Sequence, residues 1–315
     1  MDIQSIAGQL HSIRDVLRFA VSRFSEAGLY YGHGTDNAWD EALMLILHQL
    51  HLPNDCGEEI LDARLLLQER EAILQLLQKR IEQRIPVAYL TRQAWFCGLD
   101  FYVDERVLIP RSPIAQLIET RFKPWYQSEY PDRILDLCSG SGCIGIACAY
   151  AFAEADVVLS DISPDALAVA EINIARHHLQ GRVTVCESDL FAELAGLFDI
   201  IVCNPPYVDA IDFADMPDEY RHEPAEALAS GELGLDHPLQ ILREAADYLT
   251  EDGILVLEVG NSGQSLEQAY PGIDFSWVSL ERGGHGVLLI SREELEYYAD
   301  QLALNPDNSE LAGDF

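Results

Sequence analysis

Asn204-Pro205-Pro206-Tyr207 stands directly after the apolar run Phe198 to Cys203, so this stretch reads as a strand breaking into a rigid polar turn. Two prolines fix φ and withhold donors, which leaves backbone carbonyls free to accept. The Asn204 side-chain oxygen and the Pro205 carbonyl can both accept from one planar NH2 group, and Tyr207 offers that group an aromatic face. Such a turn suits a planar amide or an exocyclic amine; its plain alternative is an Asn-Pro turn that only closes a strand. Upstream, the run from Ile134 through Asp136, Cys138, Ser139 and Ser141 to Gly145 reads as strand, tight turn and helix start, with Gly140, Gly142 and Gly145 in G-x-G-x-x-G spacing. Missing side chains there let a ligand approach the backbone and the helix N-terminus, although the same turn can serve only close packing of helix on strand.

The acids behind that turn extend the pattern. Asp161 closes the next strand, about 20 residues beyond the first glycine, where a carboxylate can accept both hydroxyls of a ribose. Asp189 and Leu190 at the end of the third strand can line an adenine pocket. Either Asp161 or Asp189 can instead cap a helix. These features fit an adenosine-containing cofactor, NAD or S-adenosylmethionine. The seven cysteines form no C-x-x-C pair and are odd in number, which argues against a disulfide framework or a structural zinc site and fits a reducing cytoplasm. Cys138, Cys143 and Cys148 recur every five residues and read as small packing residues. His33, His222, His237 and His285 lack metal spacing and read as surface or cap residues, so no metal is expected. Arg221 and Glu223-Pro224 form either a lid over a substrate or a structural loop.

Elements able to hold these residues follow from the patterning. From Ile3 to about Arg84 apolar residues recur at three- and four-residue spacing, as in Ile60 to Ile85, which implies a small helical domain. Thr35 and Asp36 read as an N-cap ahead of Leu43 to Leu47, and a hairpin is expected across Ala94–Val103. Pro110-Arg111-Ser112-Pro113 closes that hairpin and enters a helix running to about Phe122. Strands are expected at 134–138, 157–160, 183–186, 200–203 and 254–259, with helices at 144–152, 164–177 and 238–249. That alternation implies an α/β chain with a mainly parallel sheet, ended by an antiparallel pair at 275–280 and 287–290. The domains read as 1–90 (helical), 91–125 (hairpin and linker helix), 126–295 (the α/β domain) and 296–315 (a disordered acidic tail).

At 315 residues there is room for two domains. Twenty Lys+Arg against 53 Asp+Glu leave a net charge of −33, which repels phosphate backbones, so no direct binding of free nucleic acid is expected. Residues 1–125 carry 17 acids and 13 bases, leaving 36 acids and 7 bases for residues 126–315. Such a region suits a basic protein partner or serves solubility. No basic leader precedes an apolar run, and no run reaches the ~20 residues of a membrane span, so neither secretion nor a membrane partner is expected.

With these motifs in place, residues 131–291 resemble a class I S-adenosylmethionine-dependent methyltransferase carrying the Asn-Pro-Pro-Tyr signature of amide and amine N-methylation. The chain apart from its tail resembles the protein glutamine methyltransferases. Tyr31-Gly32-His33-Gly34-Thr35-Asp36-Asn37, Pro86 to Leu90, Ala94 to Gly98 and Leu108 to Ile114 resemble the branch acting on ribosomal protein L-three. The sister branch acting on peptide release factors has an Arg-Pro-Asp-Thr-Glu-like sequence where this chain has Arg111-Ser112-Pro113-Ile114-Ala115. The resemblance implies a class I, Rossmann-like, mainly parallel sheet with a terminal antiparallel strand, preceded by a small helical domain that recognises the substrate and a β-hairpin linker. It implies a methionine moiety over Asp136, Cys138 and Ser139 to Gly142, ribose on Asp161 and adenine beside Asp189 and Leu190. A glutamine NH2 would be held by Asn204 and Pro205, with Pro206 and Tyr207 completing the turn. Its rivals are the same reaction on release factors, methylation of an exocyclic amine of nucleic acid, and an NAD-dependent oxidoreductase, which leaves Asn204 to Tyr207 without a role.

Overall fold

Amphipathic spacing in the first ninety residues produces helices α1 (Ile3–Ala7), α2 (Ile13–Glu26), α3 (Ala38–Gln49), α4 (Leu67–Gln83) and α5 (Val87–Thr91). In the computed structural model residues 1–304 are described, and they divide into two compact units. The first unit comprises Met1–Ala94, Val103–Glu105 and Pro217–His222. Its core is built on fully buried Leu17, Phe24, Leu45, Ile46 and Ile73. Ser12 and Asp15 form a capping box on α2. The cap of α3 is Asn37, which accepts from the Asp40 amide, in place of the Thr35 or Asp36 suggested by sequence; Asp36 instead accepts from the Asn37 amide group. The helix read from Ile60 begins at Leu67, because a 3-10 turn, Glu58–Asp62, precedes it.

In the second unit β1 (Ala94–Phe96) and β2 (Leu99–Phe101) form a two-stranded sheet. Their loop, Cys97-Gly98, has φ of 50° and 74°, the two left-handed positions of a type I′ turn. From Trp95 this hairpin belongs to the second unit, whereas the sequence reading set it apart in a 91–125 linker. Helix α6 covers Ala115–Glu119 and stops short of the expected Phe122, since Arg121 and Phe122 take positive φ.

The sheet follows: β3 (Arg133–Leu137), α7 (Cys143–Ala151), β4 (Asp156–Asp161), α8 (Pro164–Arg176), β5 (Val183–Glu187) and β6 (Phe198–Cys203). After these come α9 (Ala210–Asp215), α10 (Asp236–Glu244), β7 (Leu249–Glu258), α11 (Gly263–Ala269), β8 (Ser276–Trp277), β9 (Val287–Ser291), α12 (Arg292–Tyr297) and α13 (Ala299–Leu302). Strand order is β5-β4-β3-β6-β7-β9-β8, parallel from β5 to β7 and antiparallel at β9 and β8. Because helices cover both faces, side chains alternate between two cores: Ile134, Ile200 and Val256 pack with Ile146 and Ile174, while Leu135, Ile201 and Leu257 pack with Ile241 and Leu266. Thr250 to Gly253 interrupt the apolar run and hide the start of β7, which begins five residues before the expected Ile254. The acidic tail expected from 296 is helical as far as Leu302, anchored by buried Leu295 and Leu302. Residues 305–315 of that expectation lie outside the described residues.

Candidate active site

Register brings the chemistry to one edge. Leu137 lies opposite Ser160 on β4 and Cys203 on β6, and Asp161 lies opposite Glu187 on β5. The turns after β3, β4, β5 and β6 therefore leave the sheet side by side at its carboxyl edge. Strand order reverses between β3 and β6, and a crevice opens at such a switch point. A cavity of about 1030 Å³, counted out to its open mouth, occupies this edge. Its walls include Cys138, Ser139, Gly140, Ser141, Asp161, Asp189, Leu190, Asn204 and Pro206. Asp136, Gly142, Pro205 and Tyr207 are not among the wall residues.

The glycine turn is tightly braced. Cys138 takes φ 59°, costly for a side-chain-bearing residue, and Gly140 and Gly142 take 52° and 75°. The Gly140 amide donates to Asp161 Oδ2 at 2.8 Å, and Asp161 Oδ1 accepts from Ser163 at 2.9 Å. Helix α8 is capped by Ser163, while Asp161 braces the glycine turn and lines the cavity. Burial raises its carboxyl above the ordinary value, against the pull of the Ser163, Gly140 and Ile162 amides. A Cβ on Gly145 would stand 2.2 Å from Leu159 and 2.9 Å from the Cβ of Asp136, so this glycine serves close packing of α7 on the sheet. Beneath the turn Asp136 is fully buried: Oδ2 accepts from the Gly145 amide at 2.7 Å, and Oδ1 has no hydrogen-bond partner. Burial pushes its carboxyl up to about 8.

Asp189 lies two residues beyond β5, exposed and on the cavity wall, and Leu190 follows at φ 46°. Ser188 holds that bend, donating from its hydroxyl to the Leu190 carbonyl at 2.8 Å. Asn173, buried on α8, donates to the carbonyls of Ser141 and Tyr102 and accepts from the Tyr102 amide. Sequence reading missed both residues, since an isolated polar position in a helix or turn reads as solvent-facing.

Past β6, Asn204 is half-buried, and Val208 bridges in parallel to Ala229, which fixes the exit of the turn. The Tyr207 ring lies on Gly260, where a Cβ would come within 2.4 Å of it, and its hydroxyl donates to Glu258 at 2.8 Å. A further wall is formed by Arg106 to Ser112 with Pro224, Glu226, Ala227 and His237; of Arg221 and Glu223-Pro224, read as lid or loop, Pro224 stands on it. His237 shares a hydrogen bond with Ser230, and His33 is buried, so neither is a plain surface residue. Arg221 is exposed and pairs with Asp218. Among the described residues no group of three His, Cys, Asp or Glu is arranged to hold a metal ion.

The orphaned hydroxyls of Ser139 and Ser160, open space beside Gly140, and carboxylates at two strand ends make a donor and acceptor set for a nucleoside-sized ligand carrying hydroxyl and amino groups. The amino end of α7 beside them favours a carboxylate.

Comparison with known proteins places the chain in a family. The family model of the methyltransferase small domain matches residues 125–235. The ribosomal protein uL3 glutamine methyltransferase of Francisella tularensis is 46% identical over 299 residues, 94% of this chain and 95% of that protein. The one from Neisseria gonorrhoeae is 50% identical over 290 residues, 92% of this chain and 97% of that protein. A crystal structure of a methyltransferase from Pyrococcus furiosus is similar at a TM-score of 0.46 and 19% identity, over 68% of this chain and 97% of that one. The chain is thus a methyltransferase and belongs to the family of ribosomal protein uL3 glutamine methyltransferases.

Proposed function

We propose that this chain transfers a methyl group from S-adenosylmethionine to the side-chain amide nitrogen of a glutamine in ribosomal protein uL3. The observation that carries the reading is that Asn204 and Pro206 stand in the same cavity wall as Ser139, Gly140, Asp161 and Asp189. S-adenosylmethionine, when bound, supplies an activated methyl group on a sulfonium. The orphaned Ser139 hydroxyl and the amino end of α7 suit its amino-acid moiety, Asp161 its ribose hydroxyls, and Asp189 with Leu190 its adenine. Asp136 props the turn from below through the Gly145 amide.

An amide nitrogen is a poor nucleophile because its lone pair is delocalised into the carbonyl. Asn204 Oδ1 and the Pro205 carbonyl accept the two N–H groups, which fixes the plane of the NH2 and supports positive charge as the lone pair localises on nitrogen. Pro205 and Pro206 keep these acceptors rigid, so little reorganisation accompanies the reaction. The nitrogen then gives up one proton, and because that loss follows methyl transfer no strong general base is assigned.

The test incubates the chain with labelled S-adenosylmethionine and purified uL3 and maps the label by mass spectrometry. Label on a uL3 glutamine is the expected result. Asn204→Ala lowers turnover by about 10²- to 10³-fold while S-adenosylmethionine affinity stays within a few-fold. Label on a release factor alone reassigns the substrate, and an active Asn204→Ala overturns the role of the turn.

A further inference from the structure

Glu258 closes β7 with its carboxylate only 4% exposed, and nothing in the methyl-transfer reading uses it. Each of its oxygens meets a different part of the cavity surround. Oε1 accepts from the Tyr207 hydroxyl at 2.8 Å, and Oε2 accepts from the Ser112 hydroxyl at 2.5 Å. As a carboxylate Glu258 accepts from both hydroxyls, and such charge-assisted bonds are the stronger kind. Taking a carboxylate out of water costs several kcal/mol unless it is well satisfied, so a residue needed only for packing at this position would be apolar. Burial does raise the Glu258 carboxyl, and the two hydroxyls and the charge of Arg111 pull it back.

The partners of Glu258 are fixed by other means too, which makes its two bonds a link between rigid bodies. Tyr207 accepts at its carbonyl from the Ser262 hydroxyl at 2.7 Å, and its ring lies on Gly260, two residues past Glu258. On the other side Arg111 forks onto buried Glu223 at 2.6 and 2.8 Å, and Glu223 also accepts the Ile109 amide at 3.0 Å. Ile109 to Ser112 line the cavity, so this wall is tied down by two carboxylates, one of which it shares with the Asn-Pro-Pro-Tyr turn.

We infer that Glu258 is a positioning residue for the transfer reaction: through Tyr207 and Ser112 it sets the distance between the amide-holding turn and the Ile109–Ser112 wall. The inference rests on the methyltransferase reading of the site. Its consequence is that the two walls move together when Glu258 changes, and that the loss appears in kcat.

The test compares Glu258→Gln, Tyr207→Phe, Ser112→Ala and the double variant Tyr207→Phe/Glu258→Gln, with hydrogen exchange read by mass spectrometry on the ligand-free chain. Glu258→Gln keeps the shape but turns one acceptor into a donor. It is expected to speed exchange in peptides spanning 106–114 and 204–209 together, whereas Tyr207→Phe loosens mainly the second and Ser112→Ala mainly the first. In turnover, Glu258→Gln lowers kcat by about tenfold or more, with KM for S-adenosylmethionine within about twofold. The double variant loses no more than the worse single one, because both remove the same link. Unchanged exchange in both peptides, fold-losses that multiply, or a lowered Tm with kcat intact each overturn the inference. If the wild-type chain methylates no glutamine of uL3, the functional reading fails, and the exchange comparison still decides the link.

Discussion

Burial holds the proton of Asp136 in the folded chain until about pH 8, against the pull of the Gly145 amide. Unfolding returns the carboxyl to an ordinary value of about 3.9. Between those two values the folded state binds a proton that the unfolded state has released, so this residue makes stability fall as pH rises from about 4 to about 8. Asp136→Asn has no such equilibrium. Its Tm relative to wild type is therefore expected to climb steadily from pH 5 to pH 8 in the ligand-free chain; a difference that stays flat with pH means the carboxyl titrates normally. At this scale the sequence was legible wherever chemistry is written in contiguous residues. Asn204 to Tyr207 and Ser139 to Gly142 announce themselves by spacing. Ser188, Asn173 and Glu258 do not, because each is one polar residue whose partners lie elsewhere; Asn173 reaches Tyr102, 71 positions away, and Glu258 reaches Ser112, 146 away.

Strands and helices were legible because burial on two faces leaves unbroken aliphatic runs and burial on one leaves a helical period. What escaped were the places where that rule is locally broken. Thr250 to Gly253 concealed the start of β7, and Pro217–His222 joins the first unit although the sequence sets it far from α1 to α5. Arg80 on α4 is one of the residues that hold it there, with Arg84, Tyr30 and His33. In a run rich in Glu, Gln and Arg it reads as a solvated residue, yet it is fully buried. Its guanidinium donates to Glu41 on α3 at 2.7 Å, to Glu219 at 3.1 Å and to the Tyr30 carbonyl at 2.8 Å. One side chain thus joins two helices, a loop and a distant segment. Arg80→Met keeps the volume but takes its cation from buried Glu41 and leaves Glu219 with the longer Arg84 contact at 3.4 Å. The expected cost is about 3–5 kcal/mol in urea unfolding. A loss below about 1 kcal/mol would mean that water or protons replace the arginine at no great cost.

Across the molecule the 36 acids and 7 bases of residues 126–315 set the field a partner meets. The few bases there are largely tied to neighbouring carbonyls and acids. Arg133 donates to the carbonyls of Ala195 and Leu197, Arg182 to those of Ala149 and Ala155, and Arg243 to that of Leu302, while Arg176, Arg282 and Arg292 pair with acids. Seven bases do not offset 36 acids, and that balance repels phosphate backbones and attracts a basic protein. No described helix is long and apolar enough to cross a membrane. If the field steers uL3 to the site, it acts on the encounter and leaves the chemistry alone. The association rate, followed by stopped flow, is then expected to fall about tenfold between ~0.05 and ~0.5 M salt, with kcat at saturating substrate nearly constant. An association rate indifferent to salt would leave the acidic surface a role in solubility alone. A kcat that falls with salt would place the sensitivity in the site itself, where half-buried Arg111 forks onto buried Glu223.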